Sequence, residues 1–126
     1  MALVVVADDD EAARLAVREA LARDGHDVIE AVNGRQCLSY CLERRPDLAI
    51  VDIIMPDKEG IETIIDLRKA GLDGLSIIAI SGGGRSRSID FLTLAQEYGA
   101  DRVLSKPFSR ADLVAAVREV LDGGRP

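Results

Sequence analysis

The chain has 126 residues, with 22 acidic side chains against 16 Lys and Arg, a formal charge of −6. That length suits one domain. The acidic balance disfavours a general nucleic-acid binder, which would carry a basic stripe, and no apolar run approaches the ~20 residues that a membrane-spanning helix needs. With 48% hydrophobic and 30% charged residues, the composition is that of a folded globular chain and not of a disordered one. The N-terminal apolar run turns acidic at Asp8 with no basic segment before it, unlike a secretory signal, so a cytoplasmic location is expected. The cysteines are Cys37 and Cys41, four apart, which excludes a small disulfide scaffold.

Taken in order, the first apolar run, residues 3–7, leads into Asp8, Asp9 and Asp10, and a helix follows that should stop near Gly25. His26 reads as a solvated residue before the second run, 28–31. The second helix opens at Asn33 with Gln36 three residues on, a weak capping box. Cys37, Leu38, Cys41 and Leu42 share one of its faces, and the two cysteines read as buried, reduced thiols. Glu43, Arg44 and Arg45 form its polar end.

The third run, 48–51, ends in Asp52. Ile61, Ile64 and Ile65 mark the third helix, which should end near Gly71. The fourth run, 77–80, ends in Ser81 and a glycine-rich loop. Ile89, Leu92 and Ala95 mark a fourth helix that stops near Gly99. The short run 103–104 ends in Ser105, Lys106 and Pro107. Ser109 with Asp112 then forms a clear capping box before the last helix, where Leu113, Ala116, Val117, Val120 and Leu121 follow the i, i+3, i+4, i+7, i+8 pattern.

Short Val- and Ile-rich runs that alternate with helices predict one α/β domain, a parallel sheet with helices on both faces. Domain extent is expected to be 1–126, with the core at about 2–122 and no output domain in the 123–126 tail.

In such sheets ligands bind beyond the carboxyl ends of the strands. Four of the five predicted strands end there in polar groups: Asp8 and Asp9, Asp52, Ser81, and Lys106. Crowded carboxylates repel, and a divalent cation relieves the repulsion. Sparse hard-oxygen ligands suit Mg2+. A carboxylate nucleophile, a divalent cation and a fixed ammonium are the parts that in-line phosphoryl transfer requires. Each residue alone has a plainer reading. The acidic run can cap a helix, Asp52 can end a strand in a turn, Lys106 can be solvated, and Arg85 and Arg87 read as solvated loop charges.

Taken together, these residues resemble the receiver domain of two-component response regulators, of the stand-alone chemotaxis type. The resemblance covers about residues 2–122 and rests on the acidic pair Asp8 and Asp9, on Asp52 with Pro56 four later and Gly60 eight later, on Ser81 with Gly82, and on Lys106-Pro107-Phe108. It implies a flavodoxin-like fold: a five-stranded parallel sheet of order 2-1-3-4-5 with five helices on both faces. It also implies that Asp52 accepts a phosphoryl group from a histidine kinase or a histidine phosphotransfer protein. Mg2+ would be held by Asp9 and Asp52 directly, by Asp8 through water and by the Ile54 backbone carbonyl. Ser81 and the Gly82 N–H would hold the phosphoryl group and Lys106 would pair with one of its oxygens. The Lys106–Pro107 bond would be cis, a form seen in only ~5–6% of X–Pro bonds.

Two departures stand out. Val103 occupies a place often held by Tyr or Phe, so the switch cannot work through an aromatic rotamer. The loop 82–88 is glycine-rich, and the segment 82–90 is expected to be mobile until phosphorylated. With nonpolar Ile54 and Gly83 at the positions that tune hydrolysis, slow autodephosphorylation is expected. The protein is expected to be a self-modifying switch and not an enzyme. It would relay the phosphoryl group or bind another protein as a monomer or weak phosphorylation-dependent dimer, with no nucleic acid or membrane as direct partner. Alternatives are an aspartyl-phosphate phosphohydrolase of the haloacid dehalogenase type, whose second Asp would fall at Ile54; a flavin carrier, whose phosphate the Asp-rich loop would repel; and a pseudo-receiver that keeps the fold without phosphorylation.

Overall fold

The computed structural model describes residues 2–55, 60–81 and 93–123. Its elements are β1 (Leu3–Ala7), α1 (Glu11–Arg23), β2 (Asp27–Ala31), α2 (Gly34–Arg44), β3 (Leu48–Asp52), α3 (Gly60–Lys69) and β4 (Ser76–Ser81). They continue with α4, whose described part is 93–98, β5 (Arg102–Ser105) and α5 (Arg110–Gly123). All strand pairings are parallel, in the order β2-β1-β3-β4-β5.

The run-on apolar strands divide by parity, because successive side chains point to opposite faces of a strand. Val4, Val6, Leu48, Ile50, Ile78 and Ile80 pack on one face with Val17, Ala20 and Leu21 of α1 and Leu113, Ala116 and Val117 of α5. Val5, Ala7, Ala49, Val51, Ile77 and Ala79 pack on the other face with Cys37 and Cys41 of α2, Ile64 and Leu67 of α3 and Ala95 of α4. The central strands are buried except for Leu3 at the start of β1, whereas the edge strands β2 and β5 are mostly half-exposed. A helix face on each side of the sheet explains why neither set of strand residues is polar.

Several expectations of detail shift. On α2 the buried stripe is Gly34, Cys37 and Cys41; Leu42 faces solvent. The i+4 spacing of the cysteines keeps them on one line, while Leu42, one residue further round, turns away. On α3 the buried stripe is Gly60, Thr63, Ile64 and Leu67, so Ile65 lies beside it and not within it. The expected positions Ile89 and Leu92 lie outside the described residues, as do Arg85, Arg87 and the segment 82–90. Ser109 and Asp112 form the reciprocal capping box: Asp112 N donates to Ser109 Oγ at 3.0 Å, and Ser109 N to Asp112 Oδ2 at 3.4 Å. Asn33 Oδ1 caps α2 by accepting from Gln36 N, but the Gln36 side chain reaches back to Val32 N instead of Asn33 N. Gly25, Gly71 and Gly99 all take the positive φ that ends a helix without a Cβ clash. Both cysteines are free and buried, and the hydrogen bond of the Cys37 thiol to Cys41, together with burial, pushes that thiol well up.

His26 is not solvated. Its Nδ1 accepts from Ala2 N at 3.1 Å, its Nε2 lies 3.6 Å from Asp24 Oδ2, and its side chain is only 9% exposed. The turn after α1 folds the imidazole under the start of β1.

Sequence patterning gives no hint of Arg68. From the last turn of α3 its guanidinium donates to the carbonyls of Leu72, Leu75 and Gly99 and to Asp101 Oδ2. Asp101 Oδ2 also accepts from Ile77 N. One planar fork thus ties α3, the turn into β4 and the turn into β5 at the amino end of the sheet. Arg68→Met leaves these part-buried carbonyls without their donor and should cost about 3 kcal/mol, read as a lower urea midpoint with an unchanged denaturant slope.

Candidate functional site

The sheet parity and parallel register bring the carboxyl ends of β1, β3, β4 and β5 to one rim, where the chain leaves each strand in a polar residue. The three carboxylates after β1 divide their roles. Asp10 is the N-cap of α1, accepting from Ala12 N at 3.1 Å. Asp9 is exposed. Asp8 is buried, its Oδ1 accepting from Asp10 N at 3.0 Å and its Oδ2 from Lys106 Nζ at 2.9 Å. The plain capping reading therefore holds for Asp10 alone.

Asp52, at the end of β3, is 5% exposed. Its Oδ1 accepts from Ile54 N at 3.0 Å, an Asx-type turn that fixes the carboxylate, and its Oδ2 accepts from Lys106 Nζ at 3.2 Å. Lys106 is thus no solvated lysine: one ammonium spans two buried carboxylates from different strands. Asp8, Asp9 and Asp52 each offer a carboxylate oxygen within 4.8 Å of the others. Ser81, at the end of β4, is fully buried, and its Oγ has no hydrogen-bond partner among the described residues. A buried hydroxyl without a partner is costly unless a ligand completes it. Ile54 presents its backbone beside Asp52, and its side chain is exposed. Gly82, Gly83, Pro56 and the rest of segment 56–59 lie outside the described residues.

Gly60 shows why a glycine follows Asp52 at this spacing. A Cβ there would lie 2.2 Å from the Asp52 carbonyl oxygen and 2.3 Å from Ile53 Cα. The Gly60 N–H donates to Ile53 O at 3.1 Å. α3 therefore crosses directly against the backbone that carries the Asp52 carboxylate. Lys106–Pro107 is cis, as the resemblance implied.

The electrostatics follow from this packing. Burial raises the Asp52 pKa, Asp8 adds to the rise, and the Ile54 N–H and Lys106 only partly oppose it, leaving a value of about 6. Burial alone would lower Lys106, but the Asp8 and Asp52 carboxylates outweigh it and raise the ammonium. The arrangement holds concentrated negative charge, a fixed cation and a hydroxyl without a partner among the described residues on one rim, where the three carboxylates could hold a metal ion.

Residues 4–118 match the family model described as the response regulator receiver domain. The chain belongs to that family. It is 39% identical over 121 residues to the KDP operon transcriptional regulatory protein KdpE of Escherichia coli, covering 96% of this chain and 52% of that one. It is 34% identical to the response regulator MprA of Mycolicibacterium vanbaalenii, covering 94% and 49%. The chain spans about half or less of the length of the curated relatives it matches. Among solved structures, the receiver domain of NtrX from Brucella abortus aligns with a TM-score of 0.87 at 26% identity, covering 94% of this chain and 98% of that one. The Vibrio cholerae chemotaxis protein CheY4 aligns at 0.86 and 28%, covering 96% and 99%.

This receiver carries Val103 half-buried in β5, packed against the α2–α3–α4 side of the sheet. Among the described residues no helix is long and apolar enough to cross a membrane.

Two measurements check this geometry. Asp52 holds its proton more tightly folded than unfolded, where a value near ~3.9 applies, so its ionisation destabilises the fold. In EDTA, the stability that the protonated carboxyl lends should be lost as pH rises from about 4 to about 6. Asp52→Asn removes the penalty, so its advantage over the parent in urea unfolding should grow across that window to on the order of 2 kcal/mol. Gly60→Ala forces a methyl group into backbone and should cost about 3 kcal/mol in the same assay.

Proposed function

We propose that the chain is a phosphorylation switch in which Asp52 accepts a phosphoryl group, in a Mg2+-dependent reaction, from a histidine kinase or a histidine phosphotransfer protein. The observation that carries this reading is the single ammonium of Lys106 shared by Asp8 and Asp52 beside an exposed third carboxylate, Asp9. Asp9, Asp52 and the Ile54 carbonyl would hold the cation directly and Asp8 through water. When bound, Mg2+ neutralises carboxylate charge and that of the phosphoryl oxygens.

The remaining work falls to side chains. An Asp52 carboxylate oxygen forms the new O–P bond as the donor's N–P or O–P bond breaks, and the electron pair leaves with the donor group. Asp52 attacks as the carboxylate: burial opposes its ionisation in the ion-free site, and a cation bound beside it would favour it. Lys106 exchanges one carboxylate for a phosphoryl oxygen and stays charged throughout. The Ser81 hydroxyl, buried and otherwise unpartnered among the described residues, donates to a second phosphoryl oxygen, and the Gly82 N–H would assist it. The exposed apolar side chain of Ile54 offers no group to orient a hydrolytic water, which favours a long-lived phosphoryl group.

The product is the protein's own modified state, so this is a switch and not a turnover enzyme. Its output is a changed surface read by another protein, or onward transfer of the phosphoryl group. Val103 rules out an aromatic rotamer at that position as the readout. The haloacid-dehalogenase reading is disfavoured because Ile54, where that family has its second Asp, contributes a backbone N–H to Asp52 and no acid.

Incubation with acetyl phosphate and Mg2+ should add ~80 Da, one phosphoryl group, by mass spectrometry. EDTA and Asp52→Asn should each abolish the adduct, and Lys106→Ala should slow its formation about a hundredfold. An adduct of equal yield on the Asp52→Asn protein would refute the assignment.

A further inference from the structure

The acidic loop after β1 is held from behind by a group that its own reaction does not use. Arg14, one turn into α1, donates from Nη1 to the Asp8 backbone carbonyl at 2.9 Å and from Nε to Glu30 Oε1 at 2.8 Å. Its side chain is only 11% exposed. Glu30 stands on the edge strand β2 opposite Val6, and so points to the α1 side of the sheet. Its second oxygen accepts from Arg18, one turn further along α1. The hydrogen bond from Arg14 holds the Glu30 carboxyl below its usual range. On the other side, the Asp8 N–H donates to Ala31 O at 3.1 Å. The backbone at Asp8 is therefore gripped at both its N–H and its carbonyl.

That carbonyl belongs to the peptide joining Asp8 to Asp9. Holding that planar peptide restricts Asp8 ψ and Asp9 φ, the torsions that set the directions in which the two side chains leave the chain. A cation placed behind an acidic cluster would, by charge alone, weaken the binding of a second cation. A planar fork that locks a peptide does the opposite, by removing the ordering that a ligand would otherwise have to impose. The two effects have opposite signs and can be separated.

We propose that Arg14, held in place by Glu30, is a positioning residue for the acidic site: it orients the Asp8–Asp9 peptide and so raises the affinity for Mg2+. The inference rests on the reading of the rim as a Mg2+ and phosphoryl site. A lysine cannot replace the arginine, because a single ammonium does not reproduce the planar fork that spans a carboxylate and a carbonyl.

The test is Mg2+ binding by calorimetry at fixed ionic strength, on the parent chain and on Arg14→Met, Arg14→Lys and Glu30→Gln, with urea unfolding in EDTA measured in parallel. Both Arg14 substitutions should weaken Mg2+ binding roughly tenfold, the scale found for groups that orient metal ligands, even though Arg14→Met removes a positive charge. Glu30→Gln should weaken it in the same direction. Tighter binding in Arg14→Met with parental binding in Arg14→Lys would show a charge effect only and overturn the proposal. A lowered urea midpoint with unchanged Mg2+ affinity would show a structural role only and overturn it too. A parent chain that binds no Mg2+ and takes no phosphoryl group would remove the underlying reading, an outcome distinct from either.

Discussion

One ammonium shared by two buried carboxylates organises this molecule's reactive rim. Lys106 meets Asp8 and Asp52 across 98 and 54 residues of sequence, respectively. Removing either charge from water is costly unless a counter-charge sits close by. The lysine supplies that counter-charge, yet it cannot fully offset the burial of Asp52, which keeps a raised pKa. Three carboxylates around one ammonium leave the rim with excess negative charge, which the proposed Mg2+ would neutralise.

The scaffold makes this imbalance tolerable. Both faces of the sheet are covered by apolar helices, so the strands cannot slide or tilt without exposing Val, Ile and Leu side chains. The strand ends are therefore held in register at the rim. Gly60 brings α3 against the Asp52 backbone, Ile54 pins the Asp52 carboxylate, and Arg14 grips the Asp8 carbonyl. At the opposite end of the sheet Arg68 gathers three carbonyls and Asp101. The amino end is closed by hydrogen bonds that are already satisfied; at the carboxyl end the Ser81 hydroxyl has no partner among the described residues. The satisfied hydrogen bonds and the candidate site thus occupy opposite edges.

Much of the fold was legible because its signals are local. Val- and Ile-rich runs, helix-period stripes, the Ser109–Asp112 box and the turn glycines each depend on a few neighbouring residues. The site was legible for a related reason: in a parallel α/β sheet, any polar residue that ends a strand faces the same rim, so topology converts strand ends into neighbours. The misreadings came from residues whose environment is set by distant chain. His26 looked like a turn residue but lies under the start of β1. Leu42 and Ile65 looked like core from spacing alone, yet neighbouring positions took the inward face. Arg14 and Arg68 left no mark in any periodicity, because their value is in the carbonyls they reach.

By itself, then, the order of residues determined the class of fold and the strand ends at which the acids Asp8, Asp9 and Asp52, the Ser81 hydroxyl and Lys106 would meet. It could do so because patterning and spacing are encoded over a handful of positions. Only the folded chain decided that Asp10 caps a helix while Asp8 is buried, that Lys106 bridges two carboxylates, that Asp52 holds its proton to about pH 6, and that Gly60 can be nothing larger. These are matters of distance and desolvation between segments far apart in sequence, and such quantities exist only once the backbone has closed around them.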